Sequence, residues 1–73
     1  MKLSFDPEAD AAYLTLGDAI APGSISHTAE FESPAEGTML LADVDANGRI
    51  LGFEFIGAHL LLDPTLHRNA PPP

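Results

Sequence analysis

The run Phe5-Asp6-Pro7-Glu8-Ala9-Asp10-Ala11-Ala12-Tyr13-Leu14-Thr15-Leu16 sets an acidic turn between two short apolar stretches, and it constrains the fold more than any other segment. Lys2 to Phe5 alternates polar and apolar residues, Asp6-Pro7 opens a turn, and Ala11 to Leu16 resumes as a second apolar stretch. That order reads as a β-hairpin. Asp6 is placed to accept hydrogen bonds from the amides just after it, and Pro7 presets its own backbone angle.

Three further strands are expected from the same patterning. Ile25 to Ser33 alternates loosely between apolar and polar residues, as an exposed edge strand does, and it lies between the turn pair Pro22-Gly23 and Ser33-Pro34. Thr38 to Val44 and Arg49 to Ile56 form a hairpin through Asp45-Ala46-Asn47-Gly48. Two registers are open. A two-residue Asn47-Gly48 loop sets Val44, Ala42 and Leu40 against Leu51, Phe53 and Phe55; a turn starting at Asp45, with Gly48 as a bulge, slips the pairing by one. The first is preferred because it sorts apolar from acidic residues. Ala58 to Leu62 then reads as a short helix that Asp63-Pro64 ends. The expected architecture is mainly β, shading into α+β: a small antiparallel sheet of four to five strands with one short C-terminal helix. Residues 1–68 form a single small domain and 69–73 a proline-rich tail, extended and loosely held.

Seventy-three residues without a cysteine leave a thin core and no disulfide or thiolate zinc to reinforce it. Eleven acidic residues against three basic ones give a net charge of −8, and Lys2, Arg49 and Arg68 are scattered. A phosphate backbone is bound by clustered cations, so nucleic acid is excluded as a partner, while basic proteins are favoured. No apolar stretch has the length of a membrane span, and no signal core follows Met1, so the expected location is the cytoplasm, with no membrane partner.

The sharpest local pattern is Asp43-x-Asp45-x-Asn47-Gly48 with Glu54 beyond a five-residue spacer, which fits a calcium loop at each position a sequence specifies. Such a loop needs a helix on each side, and here both flanks are strand-like. Turn chemistry explains Asp43, Asp45, Asn47 and Gly48 more simply, leaving at most a weak cation site at Asp43, Asp45, Asn47 and Glu54. Asp6, Glu8 and Asp10 offer paired carboxylates, but on a solvated turn rather than in a cleft that would perturb them. His27, His59 and His67 read as isolated imidazoles, and Tyr13 as a core or interface residue. No catalytic residues, cofactor or enzyme activity are expected.

Asp6, Pro7, Glu8, Asp10, Ala11 and Tyr13, together with Asp43, Asp45, Gly48, Arg49, Gly52 and Glu54, resemble the two motif blocks of a family of small prokaryotic proteins classed as domain of unknown function twenty-two eighty-three. The likeness runs to the Phe55-Ile56-Gly57-Ala58 region, about four-fifths of the chain, and lapses beyond it. It implies a compact antiparallel sheet with a short helix, no established activity and, for some members, partnership with small toxin-like ribonucleases. Three functions are therefore open to such a chain. The first is a non-enzymatic, self-associating interaction domain, expected to be a dimer; the others are an antitoxin-like inhibitor of a basic ribonuclease and a weak calcium-binding module. The dimer is expected on grounds of area, because Leu51, Phe53 and Phe55 on one face and Ile50 and Ile56 on the other exceed what one short helix covers.

Overall fold

A computed structural model describes residues 1–73 as one five-stranded antiparallel sheet with two short helices. The strands are β1 (Lys2–Asp6), β2 (Ala11–Thr15), β3 (His27–Phe31), β4 (Met39–Val44) and β5 (Ile50–Ile56), succeeded by α1 (Ala58–Leu61) and α2 (Pro64–His67). Their order across the sheet is β1-β2-β5-β4-β3. Two hairpin-linked blocks therefore meet where β2 pairs with β5, and β1 and β3 are left as edges.

The first hairpin forms as the sequence predicts. The Asp6 carboxylate accepts from the backbone N–H groups of Glu8 at 3.0 Å and Ala9 at 3.4 Å, closing the turn. Asp10 then takes φ = 51°, the left-handed region that an L residue enters at a cost, and is the one non-glycine to do so. That conformation is held from outside the turn, because the Asp10 carbonyl accepts from the N–H groups of both Gly57 and Ala58, at 3.0 and 2.9 Å.

The second hairpin combines the two registers that the sequence left open. Gly48 N–H donates to the Asp45 carbonyl at 3.1 Å with Gly48 at φ = 80°, and Asp45 N–H donates to the Arg49 carbonyl at 2.9 Å, so the turn starts at Asp45 and is not a two-residue loop. Beyond it Val44 pairs with Ile50 but Asp43 pairs with Gly52, leaving Leu51 as an extra residue in β5. This bulge restores the pairing of Ala42 with Phe53 and of Leu40 with Phe55. The turn obeys local Asp and Gly chemistry, whereas the strands obey the burial pattern, and one inserted residue reconciles them.

Alternation along the paired strands gives the sheet two different faces. One carries Leu3, Phe5, Ala12, Leu14, Phe53, Phe55, Ala42, Leu40, Ala29 and Phe31; the other carries Lys2, Ser4, Tyr13, Thr15, Glu54, Leu41, Asp43, Thr28 and Glu30. The apolar face receives the C-terminal segment at its β1 end, where the Phe5 and His67 rings meet at 4.7 Å between centroids, tilted by 42°. Burial is nevertheless shallow. Only six residues are buried, among them Ala12, Ala42, Val44 and Ala58, and no large side chain is completely withdrawn from water.

The C-terminal segment departs from the expected single helix in one respect. Asp63-Pro64 does not end the helical region but opens a second helix: the Asp63 carboxylate accepts from Thr65 N–H at 2.9 Å and from the Thr65 hydroxyl at 2.6 Å, with Pro64 in the first turn. Proline after a capping aspartate starts a helix as readily as it stops one. Beyond α2, Phe5 N–H donates to the Pro71 carbonyl at 2.9 Å along the outer side of β1.

His67 is buried with both ring nitrogens lacking a hydrogen-bond partner. A buried polar atom without a partner carries its full desolvation penalty, so replacing the residue by an apolar side chain of similar volume removes a liability. His67→Leu is expected to stabilise the domain by about 1 kcal/mol, read as a higher urea midpoint at unchanged slope. A lowered midpoint would show that the imidazole finds partners in solution.

Candidate functional site

Of the residues singled out from the sequence, Tyr13, Asp43, Gly52 and Glu54 come together on the polar face, in the middle of the sheet. Gly52 of β5 lies between Thr15 of β2 and Asp43 of β4. Tyr13 reaches across it, and its hydroxyl donates to Asp43 Oδ2 at 2.6 Å. From the far side the Thr28 hydroxyl of β3 donates to Asp43 Oδ1 at 2.6 Å. Both carboxylate oxygens are thus engaged, and one chain of bonds runs from β2 over β5 to β4 and β3. A Cβ added at Gly52 would lie 2.6 Å from the Tyr13 hydroxyl, 2.7 Å from its ring and 2.8 Å from the Leu14 carbonyl. Glycine is required here by the passage of the ring rather than by its own backbone angle.

Burial, and then the hydrogen bond to Asp43 and the charges of Asp43 and Glu54, push the Tyr13 phenol well above its ordinary value of 10.0. A phenol that holds its proton this firmly is a poor proton donor or acceptor near neutrality. Its geometry suits a structural tie. Because the folded state favours protonated Tyr13, this tie contributes fully below pH about 10, and the contribution is lost as pH rises above that value. Tyr13 is the sole tyrosine, so an ultraviolet titration is expected to show tyrosinate only above the pH at which a free tyrosine ionises. A titration centred on the ordinary value would contradict the tie.

The calcium-like pattern does not fold as a loop. Asp43 serves Tyr13 and Thr28, while Asp45 Oδ1 accepts from the N–H groups of Asn47 and Arg49, both at 2.9 Å. Asn47 is exposed in the turn, and Glu54 stands on the polar face opposite Leu41 and Tyr13. No three His, Cys, Asp or Glu side chains are grouped so as to hold a metal ion.

The first motif block is likewise occupied in joining elements. Asp6 closes its own turn, and Pro7 and Glu8 are exposed within it. The Asp10 carboxylate accepts from His59 N–H at 3.0 Å and pairs with His59 Nδ1, fastening the start of α1 to the first hairpin. Desolvation raises the Asp10 carboxyl, but the bonds to the His59 side chain and backbone and the charges of His59 and His67 outweigh it and hold the group below its ordinary 3.8. Neither the Thr28 bond nor the Asp10–His59 contact is legible in the sequence, since each joins residues far apart in the chain with no local pattern to mark it. An open groove of about 350 Å³ lies between the first turn and the tail, lined by Ser4, Asp6, Ala11, Tyr13, Glu54 and Pro73.

No helix is long and apolar enough to cross a membrane. No curated protein and no solved structure matches the chain. Residues 2–59 match a family described as proteins of unknown function, DUF2283, and this span contains the whole sheet, the Tyr13–Asp43–Thr28 tie and the Asp10 junction while stopping short of α2 and the tail. The chain belongs to the DUF2283 family.

Proposed function

We propose that this domain acts by association, through contact with a second copy of itself, and not by catalysis. The observation that carries this reading is surface area. A folded monomer of this mass, 7.7 kDa, is expected to expose about 4,300 Å² by the usual size scaling, whereas this chain exposes 4906 Å². The excess of about 600 Å² approaches one partner's share of an ordinary protein interface, about 800 Å². Met1, Ile25, Phe31, Met39, Ile50, Leu60 and Leu66 are the large apolar residues exposed on the surface. The absence of catalysis is supported by the use to which Asp6, Asp10, Tyr13 and Asp43 are put, each engaged in holding the fold. A dimer is stabilised by mass action, so the melting temperature should rise with protein concentration. A melt that is superimposable across a hundredfold dilution would contradict the proposal.

A second reading is inhibition of a small basic ribonuclease, favoured by the exposed carboxylates Glu8, Asp18, Glu30, Glu32 and Glu36 and the net charge of −8. Opposed charge accelerates encounter and suppresses wrong partners. Its test is capture from the native cell. Recovery of a basic ribonuclease that the domain inhibits at equimolar ratio supports it, and a captured set without one contradicts it.

A further inference from the structure

The two edges of the sheet are unlike. At β1 the C-terminal chain meets the edge at Pro71, whose carbonyl accepts from Phe5 N–H, and Pro72 and Pro73 then lie by the polar-face residues Lys2, Ser4, Tyr13 and Thr15. Proline has no N–H, so the run Pro71-Pro72-Pro73 takes up the Phe5 amide without offering donors to a further strand. At β3 no element lies outside the strand. His27, Thr28, Glu30 and Phe31 are exposed, Phe31 to 44 %, and the strand contains neither proline nor lysine. Edges are ordinarily protected by charged side chains, lysine above all, by proline, by bulges or by a covering segment, and of these β3 has only Glu30. This chain covers one edge and leaves the other bare.

The bare edge is also complementary to itself. In an antiparallel pair each residue opposes one on its own face of the sheet, so a two-fold pairing of identical strands must be centred on a residue. Ala29 is the centre that pairs all five residues of β3. In that register His27 opposes Phe31 of the second copy at both ends of the strand, on the apolar face, and Thr28 opposes Glu30 on the polar face. Aromatic cross-strand pairs are favourable, and no carboxylate faces another. Centring on Glu30 instead would set Glu30 against Glu30.

We propose that two copies join through β3 about a two-fold axis at Ala29, forming one continuous sheet with five strands from each copy, and that the Pro71–Pro73 tail closes β1 at both outer ends so that growth stops at the dimer. The inference rests on the association proposed above and names its surface and its stop.

Light scattering on the eluting protein tests both. The full chain is expected at twice 7.7 kDa. Phe31→Lys should halve that mass while leaving the circular dichroism spectrum intact. Pro71→Gly, Pro72→Gly and Pro73→Gly introduced together, at full chain length, should give species heavier than the dimer that grow with concentration. Hydrogen exchange on the unaltered protein reads the same surface should Phe31→Lys fail to fold, because β3 amides should slow with concentration while those of β1 do not. A dimer with β3 exchange independent of concentration would overturn the β3 edge, and a strict dimer with the glycine tail would overturn the cap. A monomeric full chain would instead overturn the association reading itself.

Discussion

Gly52→Ala is expected to be the most damaging single substitution in this chain, lowering stability by about 3 kcal/mol, the upper end of what forced overpacking costs. The added methyl would meet the Tyr13 hydroxyl and ring at 2.6 and 2.7 Å, and the Leu14 carbonyl at 2.8 Å. Tyr13 has room to swing away only by giving up its bond to Asp43, and the Leu14 carbonyl belongs to the neighbouring strand and cannot retreat without breaking the β2–β5 pairing. A domain of this size has few kcal/mol in reserve. Chemical denaturation and tyrosine fluorescence should therefore show a largely unfolded population in buffer. Combining Gly52→Ala with Tyr13→Phe should not restore the fold, because the ring at 2.7 Å and the Leu14 carbonyl at 2.8 Å remain in the way. A stable Gly52→Ala protein with native spectra would show that the ring does not lie over residue 52.

Asp43→Ala is expected to cost about 2 kcal/mol, less than the sum of two full charge-assisted hydrogen bonds because Thr28 is exposed and Tyr13 only half-buried. It removes the acceptor of both hydroxyls at once. Asp43→Asn keeps one oxygen and should lose roughly half as much. The double variant Asp43→Ala with Tyr13→Phe should fall short of additivity, since each change removes the same bond. Urea midpoints of the four proteins complete the cycle, and strict additivity would mean that Tyr13 and Asp43 do not interact.

Much of this fold is legible in the chain because its strands are short, alternating and separated by strong turn residues. The Asp6-Pro7 turn, the edge character of β3 and the pairing of Leu40 with Phe55 are all marked by local pattern. The second hairpin is harder to read. Asp45 and Gly48 dictate one turn and the apolar residues dictate another register, and nothing local announces that Leu51 is inserted to satisfy both. Asp63-Pro64 misleads for a similar reason, since the same pair either ends one helix or caps the next, and here the Thr65 amide and hydroxyl decide for the cap. The candidate site shows a deeper limit. Asp43 and Glu54 stand out in the sequence as calcium-like positions, but the role of Asp43 depends on Tyr13 and Thr28, which arrive from strands that no spacing rule connects to it. Gly52 likewise looks like an ordinary strand glycine until the ring that crosses it is seen.

The motif residues serve the fold. Asp10 joins the first hairpin to α1, and Tyr13, Gly52 and Asp43 join the sheet across its middle. These ties compensate for a core in which alanine predominates among the buried apolar residues and no large side chain is fully buried. They stiffen the sheet without covering its apolar surface. The association proposed above would withdraw part of that surface from water.

Sedimentation equilibrium of the full chain across micromolar concentrations distinguishes a dimer from a lone copy. A reversible monomer–dimer equilibrium is expected, with the weight-average mass approaching twice 7.7 kDa as concentration rises. A single mass of 7.7 kDa at every concentration, from a protein that melts cooperatively, would contradict it.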